Sequence, residues 1–450
     1  MVASIKAPAT QKQSSPLTEK QVNKHVKVLE RTYQRNINSD YTEKIEELYK
    51  TFNYSINSNH YWTEPEQSLL YGTPLYEAAS PSQRLALNHL HWFSMYHQVA
   101  ASETETIACN QITSSVFSAS GYETLSRELA LETSQERFHI NAFHKIGYLT
   151  MKAILGKEAF KAPLKGKLYQ STNKSSPFAA YQYYALRFIA KTMLSSKKQY
   201  YSQYLRELEE TNEFIPVSTI GLLGQGLKPQ SLQQFFTFNW GGSPFLACQY
   251  YSLRIMANMV LNNIENSISK TFRKLEKKGE FIPTPTAVSH YHFLDESLHA
   301  TISQVLARDL YKNFPEPTAY EKFVANLAIY MMQRGVLSGL SAVSPGRYHA
   351  DDYSLMSFIY KILQNSLFGM SAEEALHWME KCFCQEHEGF HVTAKYHQSL
   401  WSDLSGFYGD LDYLWPINRE MRLMASGGSI SKAVQSNIKT FKDFSRLVAI

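Results

Sequence analysis

The sequence predicts an all-α protein, a four-helix bundle core with additional helices. Three observations predict it. Apolar residues recur at helical spacing along most of the chain, while strict apolar/polar alternation and strand-like runs bounded by turn residues are rare. Caps and prolines stand where the periodic stretches begin: Ser80-Pro81, Ser176-Pro177, Ser243-Pro244 and Ser371. Four of the stretches also carry carboxylates on otherwise apolar faces, and a buried unpaired carboxylate is costly, so partners are implied.

Helices are expected over 82–110, 122–157, 178–211, 244–277, 289–312, 318–340, 353–366 and 371–400. No repeat at solenoid periods interrupts them. The polar stretch 161–177 reads as a loop. The glycine-rich stretches 218–230 and 239–244 match neither a dinucleotide fingerprint nor a P-loop, so turns are the expectation. Residues 1–20 lack the apolar centre of a signal peptide and read as a disordered tail. Residues 21–450 read as one helical domain, with a ligand bundle at about 82–312 and a helical extension over 313–450.

Composition excludes several classes. With 450 residues, 44% of them hydrophobic, a large core is available. A net charge of +5 is too weak to imply nucleic acid and is compatible with an acidic partner protein. The four cysteines form no CxxC pair, which argues against thiolate zinc or iron–sulfur sites. They suit a reducing, cytoplasmic setting. No apolar run reaches the roughly 18–20 residues of a membrane span. "FVANLAIYMM" (323–332) reads as a buried helix.

An ExxH motif sets a carboxylate and an imidazole one helical turn apart on one face. Four occur: Glu136/His139, Glu296/His299, Glu374/His377 and Glu388/His391. The second is extended to HxxxExxH by His292. Glu128, Glu132 and Glu136 form a stripe at spacing four, whose charges repel unless cations neutralise them. A solvated acidic face is the bland alternative. Two ExxH helices with a lone glutamate from each of two more helices form the ligand set of dimetal carboxylate bundles. Glu103 supplies one, among Tyr96, Val99, Ala100, Ile107 and Asn110, and is preferred over Glu105. Glu265 supplies the other. It is the only acid in 243–272 and needs a partner, either metal or Arg254 three turns back.

The expected ligands are therefore Glu103, Glu136, His139, Glu265, His292, Glu296 and His299. Asp295 is expected to hydrogen-bond an imidazole on another helix, and Glu132 to support the ligands. No catalytic side chain beyond the ligands and no organic-cofactor site is expected. Mixed imidazole and carboxylate donors suit iron or manganese, and seven ligands exceed what zinc takes.

This constellation resembles the AurF-type arylamine N-oxygenases of the ferritin-like dimetal superfamily. Its carriers are His292-Phe-Leu-Asp-Glu296-Ser-Leu-His299, Glu136-Arg-Phe-His139 and the lone Glu265, with Glu103 matching by helix position. The resemblance covers roughly 85–300. The longer interval between His139 and Glu265 and the extended C-terminal part look more like the cylindrocyclophane-type (CylC-like) dimetal halogenases. That resemblance implies a ferritin-like fold and two iron ions, with manganese or a mixed pair as variants. It implies O2 activation, chloride as co-substrate and chlorination of an unactivated carbon. The substrate would be a fatty acyl chain on an acyl carrier protein, in natural-product biosynthesis. An external electron donor is implied, a homodimer is compatible, and neither nucleic acid nor membrane is a partner. Arylamine N-oxygenation is the alternative activity.

Two Tyr-rich stretches, 178–194 and 243–253, are candidate walls of an acyl tunnel, with plain core as the blander reading. The basic clusters 195–201 and 270–278 are candidates for meeting an acidic carrier protein. One rival remains. "HEGFH" (387–391) matches the HExxH zinc metalloprotease signature, though Gly389 lies between the ligands and no third ligand follows. Glu374/His377 reads as surface.

Overall fold

A computed structural model describes residues 24–156, 179–194, 199–215, 230–345 and 351–448. Among these residues the regular structure is helical, with no strand. Four long helices form the centre, labelled here in chain order: α1 (Pro81–Ala119), α2 (Glu123–Leu155), α3 (Pro244–Lys278) and α4 (Thr284–Arg308).

Local chemistry fixes their ends. Ser80 and Gln83 form a capping box at the start of α1, with Pro81 at the first helical position. Ser243 accepts from the Leu246 N–H, and Pro244 opens α3 in the same way. Gly121, at φ +86°, turns α1 into α2, and Gly279, left-handed at φ 65°, ends α3 before α4. The result is two helical hairpins, α1–α2 and α3–α4. Across them the Trp92 indole donates to Ser289 at 2.9 Å, and Tyr251 on α3 donates to Asn110 on α1 at 3.2 Å.

The C-terminal helices pack on this centre. One core joins Leu246, Tyr251, Ile302 and Leu306 to Val324, Ile329, Leu404 and Tyr408. Another joins Leu87 and Leu90 to Leu355, Ile359, Ile362, Phe383 and Phe390. Each fully buried leucine or isoleucine there contributes about 1.5–3 kcal/mol. Two helices absent from the sequence expectation, Lys24–Asn38 and Thr42–Thr51, lie against α2 and α4.

Other expectations need correction. The stretch 178–211 is two helices, Ala179–Met193 and Gln203–Glu210. The stretch 318–340 ends its α-helix at Met332 and continues as a π-turn, Gln333–Leu337. The stretch 371–400 is two helices, Ala372–Cys384 and Glu388–Gly409, because Gln385 and His387 are extended. The tail 1–20, the loop 161–177 and 218–229 lie outside the described residues, as does most of the basic cluster 195–201. Among the described residues no helix is long and apolar enough to cross a membrane.

A tertiary contact accounts for the break near 385. The Gly389 N–H donates to the Gly72 carbonyl at 3.1 Å. A Cβ on Gly389 would lie 2.8 Å from the Tyr71 carbonyl oxygen and 2.9 Å from that of Ala342. The "HEGFH" segment is thus built for close backbone packing. Gly389→Ala is expected to cost about 1–3 kcal/mol in stability, read as a lower Tm, with metal stoichiometry unchanged.

Candidate metal centre

Residues at i, i+4 and i+7 share one helix face, and α4 turns His292, Glu296 and His299 into the bundle axis, where they are 0%, 4% and 0% exposed. Glu136 and His139 of α2, Glu103 of α1 and Glu265 of α3 are also buried. All seven expected ligands converge from four helices. The acidic stripe of α2 is buried as well, so it is not a solvated face.

Each ExxH pair closes on itself. His139 Nδ1 lies 3.1 Å from Glu136 Oε2, and His299 Nδ1 lies 2.9 Å from Glu296 Oε1. The outward nitrogens are held from behind. His139 Nε2 lies 3.2 Å from Asp295 Oδ2 on the facing helix, as expected. His299 Nε2 lies 2.9 Å from Gln135 Oε1. Gln135 in turn donates to Asn36, and Asn36 to Glu128, each at 2.8 Å. His292 faces inward with both nitrogens, 2.6 Å from Glu265 Oε1 and 2.9 Å from Glu103 Oε1.

Donor atoms of Glu103, Glu136, His139, His292 and Glu296 lie within 4.8 Å of one another. Glu132, Glu136 and His299 form a second such group. Glu136 is common to both. Glu103 Oε2, Glu265 Oε2 and Asp295 Oδ1 are buried and accept no hydrogen bond from the described residues. Orphaned carboxylate oxygens at the centre of a dry bundle suit a bound cation. The buried Glu/His groups therefore have the donor chemistry to hold metal ions.

Two details differ from expectation. Arg254 is not the partner of Glu265. It pairs with Glu132, which also accepts from Asn110 at 2.7 Å, and its Nη2 lies 3.7 Å from Glu136 Oε1. Glu265 instead accepts from the Tyr96 hydroxyl at 2.5 Å. Gln135, Tyr96 and Asn110 were missed as supports. Tyr96 and Asn110 share the face of Glu103, which was the available signal, while Gln135 shows none beyond adjacency to Glu136.

Charge balance explains the protonation pattern. Burial pushes the Glu103 carboxyl up to about 8, and the Glu136 charge adds to this. Burial and the His292 charge oppose the His139 cation, but hydrogen bonds to Asp295 and Glu136 raise it to about 9. His299 rises to about 10, since the Glu132 and Glu296 charges outweigh burial. His292 is raised well above its ordinary value against the same burial, by Glu265 and Glu103. Burial opposes ionised Glu296, yet the His299 charge holds its carboxyl well below the usual range.

A family model described as acyl halogenase CylC-like matches residues 24–445. The chain belongs to the CylC-like acyl halogenase family. No curated protein and no solved structure matches it. The match runs through both helical hairpins and the C-terminal helices. It makes the chain an enzyme of halogenase type.

In this CylC-like chain a cleft opens onto the cluster. Glu103, Glu136, Glu296 and Arg254 line it, and Met95, Val99, Val260, Leu261, Ile264 and Leu355 supply apolar wall. With the open solvent at its mouth included, the space measures roughly 890 Å³. Among the described residues, neither Tyr-rich stretch lines it. Tyr250 and Tyr251 are packed in the core, while Tyr181 and Phe188 are 74% and 71% exposed.

Geometry overturns the protease rival. His387 is the N-cap of its helix, and its Nε2 lies 2.7 Å from the Cys382 carbonyl oxygen. His391 is exposed and pairs with Glu386 at 3.0 Å. The two imidazoles share no helix face. Glu374 and His377 are exposed, as expected, and Glu374 closes a capping box with Ser371.

Asp295→Asn is expected to weaken metal affinity by about 10–100-fold while the fold persists. The raised histidines set a pH dependence. Their folded pKa values exceed the ordinary 6.5, so their stabilisation of the metal-free protein is fully present below about pH 6.5 and is lost as pH rises through about 9 to 10. Ligation needs neutral imidazole, so metal uptake near pH 7 is expected to release protons, with affinity rising toward about pH 9. Calorimetry in buffers of different ionisation enthalpy measures that release.

Proposed function

We propose that this acyl halogenase binds two metal ions through Glu103, Glu136, His139, Glu265, His292, Glu296 and His299. With O2 it then halogenates an unactivated carbon of a fatty acyl chain on an acyl carrier protein. The observation that carries the reading is the convergence of these donors, with orphaned carboxylate oxygens, beside a largely apolar cleft. When bound, iron or manganese would supply the redox chemistry that activates dioxygen, which no side chain in the cleft offers.

The chain's own residues do the rest. Asp295 and Gln135 fix the two ExxH imidazoles with Nδ1 toward the centre. Tyr96 orients Glu265. Arg254 offsets the charge of Glu132 beside Glu136. Met95, Val99, Leu261 and Ile264 keep water from an alkyl chain and give it an apolar surface.

Chloride and an external electron donor complete the reactants. Replacing C–H by C–Cl with chloride as the halogen source releases two electrons, and reducing O2 to water takes four, so two must come from the donor. The exposed basic end of α3, with Lys270, Arg273, Lys274, Lys277 and Lys278, supports docking of an acidic carrier protein.

The test incubates protein loaded with ferrous iron, dodecanoyl-acyl carrier protein, chloride, reductant and O2, and follows the product by mass spectrometry. A product with chlorine's isotope pattern is expected. Glu296→Ala should lose more than about 100-fold of that activity together with its metal. A hydroxylated product without chlorine, or full activity in Glu296→Ala, contradicts the reading.

A further inference from the structure

The cleft has polar lining outside the cluster, and His91 is the one imidazole in it. His91 on α1 lines the cleft, is 3% exposed, and neither of its ring nitrogens has a hydrogen-bond partner among the described residues. The other buried histidines outside the cluster are paired: His89 with Tyr54 and the His60 carbonyl, and His290 with Ser269. Burial lowers the His91 pKa to about 4, so its ring is neutral near pH 7. A neutral imidazole offers one donor and one acceptor, and leaving both unmet in a dry site is costly.

The position of His91 gives this meaning. It lies twelve residues before Glu103 on the same helix, about 18 Å along the axis at 1.5 Å per residue. Met95 and Val99 line the cleft between them at helical spacing. The cleft therefore runs along α1 past Met95 and Val99, with the unpaired ring of His91 well removed along the helix from the Glu103 carboxylate; its other unpaired donor, Asn258 Nδ2, lies on α3 one turn from Arg254. A fatty acyl thioester has the matching pattern, one carbonyl on a long alkyl chain.

We propose that His91 anchors the acyl substrate by donating its ring N–H to the thioester carbonyl oxygen, and that its distance from Glu103 selects the carbon presented to the metals. This inference rests on the acyl-halogenase reading above. It assigns His91 to substrate binding and to the choice of reaction position, with no part in metal binding.

The test compares two probes on iron-loaded full-length protein: dodecanoyl-pantetheine, and the dodecyl thioether of pantetheine, which lacks only the carbonyl oxygen. His91→Leu should weaken the thioester about tenfold and leave the thioether unchanged. His91→Gln, which keeps an N–H donor, should recover most of the loss. Metal stoichiometry should be equal in all three proteins, and His91→Leu should scatter the position of chlorination. Equal losses for both probes would reduce His91 to packing. No loss for either would leave it a water-bound histidine. Both outcomes overturn the inference while the acyl-halogenase reading stands. If the wild-type protein binds neither probe, that reading fails, and the inference with it.

Discussion

The structure depends on one constraint, the neutralisation of charge in a dry bundle. Six carboxylates (Glu103, Glu132, Glu136, Glu265, Asp295 and Glu296) face three imidazoles and one guanidinium, all buried. Ionised groups in such surroundings carry large desolvation costs, and removing one partner leaves the other uncompensated. Without metal, the imidazoles answer by keeping their protons. Divalent cations would take that role instead and displace the protons. The same requirement explains why supports such as Asp295, Gln135, Tyr96 and Arg254 are buried around the ligands.

Much of this centre was legible in the sequence because helical periodicity is a local property. The spacing of His292, Glu296 and His299 places them on one face whatever lies opposite, and Glu136/His139 follows the same rule. Glu265 stood out as the only acid in the long apolar stretch 243–272. Glu103 was separated from Glu105 by its apolar neighbours, and the structure buries the first and leaves the second half-exposed. The family match accords with the halogenase resemblance that the longer chain suggested.

What the sequence hid was long-range. Gln135 reaches His299 across 164 positions, and Arg254 reaches Glu132 across 122. No spacing rule covers such pairs. The helices Lys24–Asn38 and Thr42–Thr51 were missed, although Asn36 of the first closes the polar chain behind His299. The break at Gln385 has no proline and follows from the meeting of Gly72 with Gly389, so "HEGFH" looked like a metal motif until its backbone neighbours were in place. The cleft walls were misjudged for a related reason. Aromatic richness marks buried area, and in 243–253 that area is core, while Ala257, Asn258, Leu261 and Ile264 just beyond line the cleft.

The central claim is that two metal ions sit among these buried donors. Anomalous diffraction at the iron edge, from crystals of protein loaded anaerobically with ferrous iron, tests it most directly. The account predicts two peaks between α1, α2, α3 and α4, one among Glu103, Glu136, His139, His292 and Glu296, the other beside His299 with Glu136 near both. No peak there, or a single peak beside His387 and His391, would contradict it.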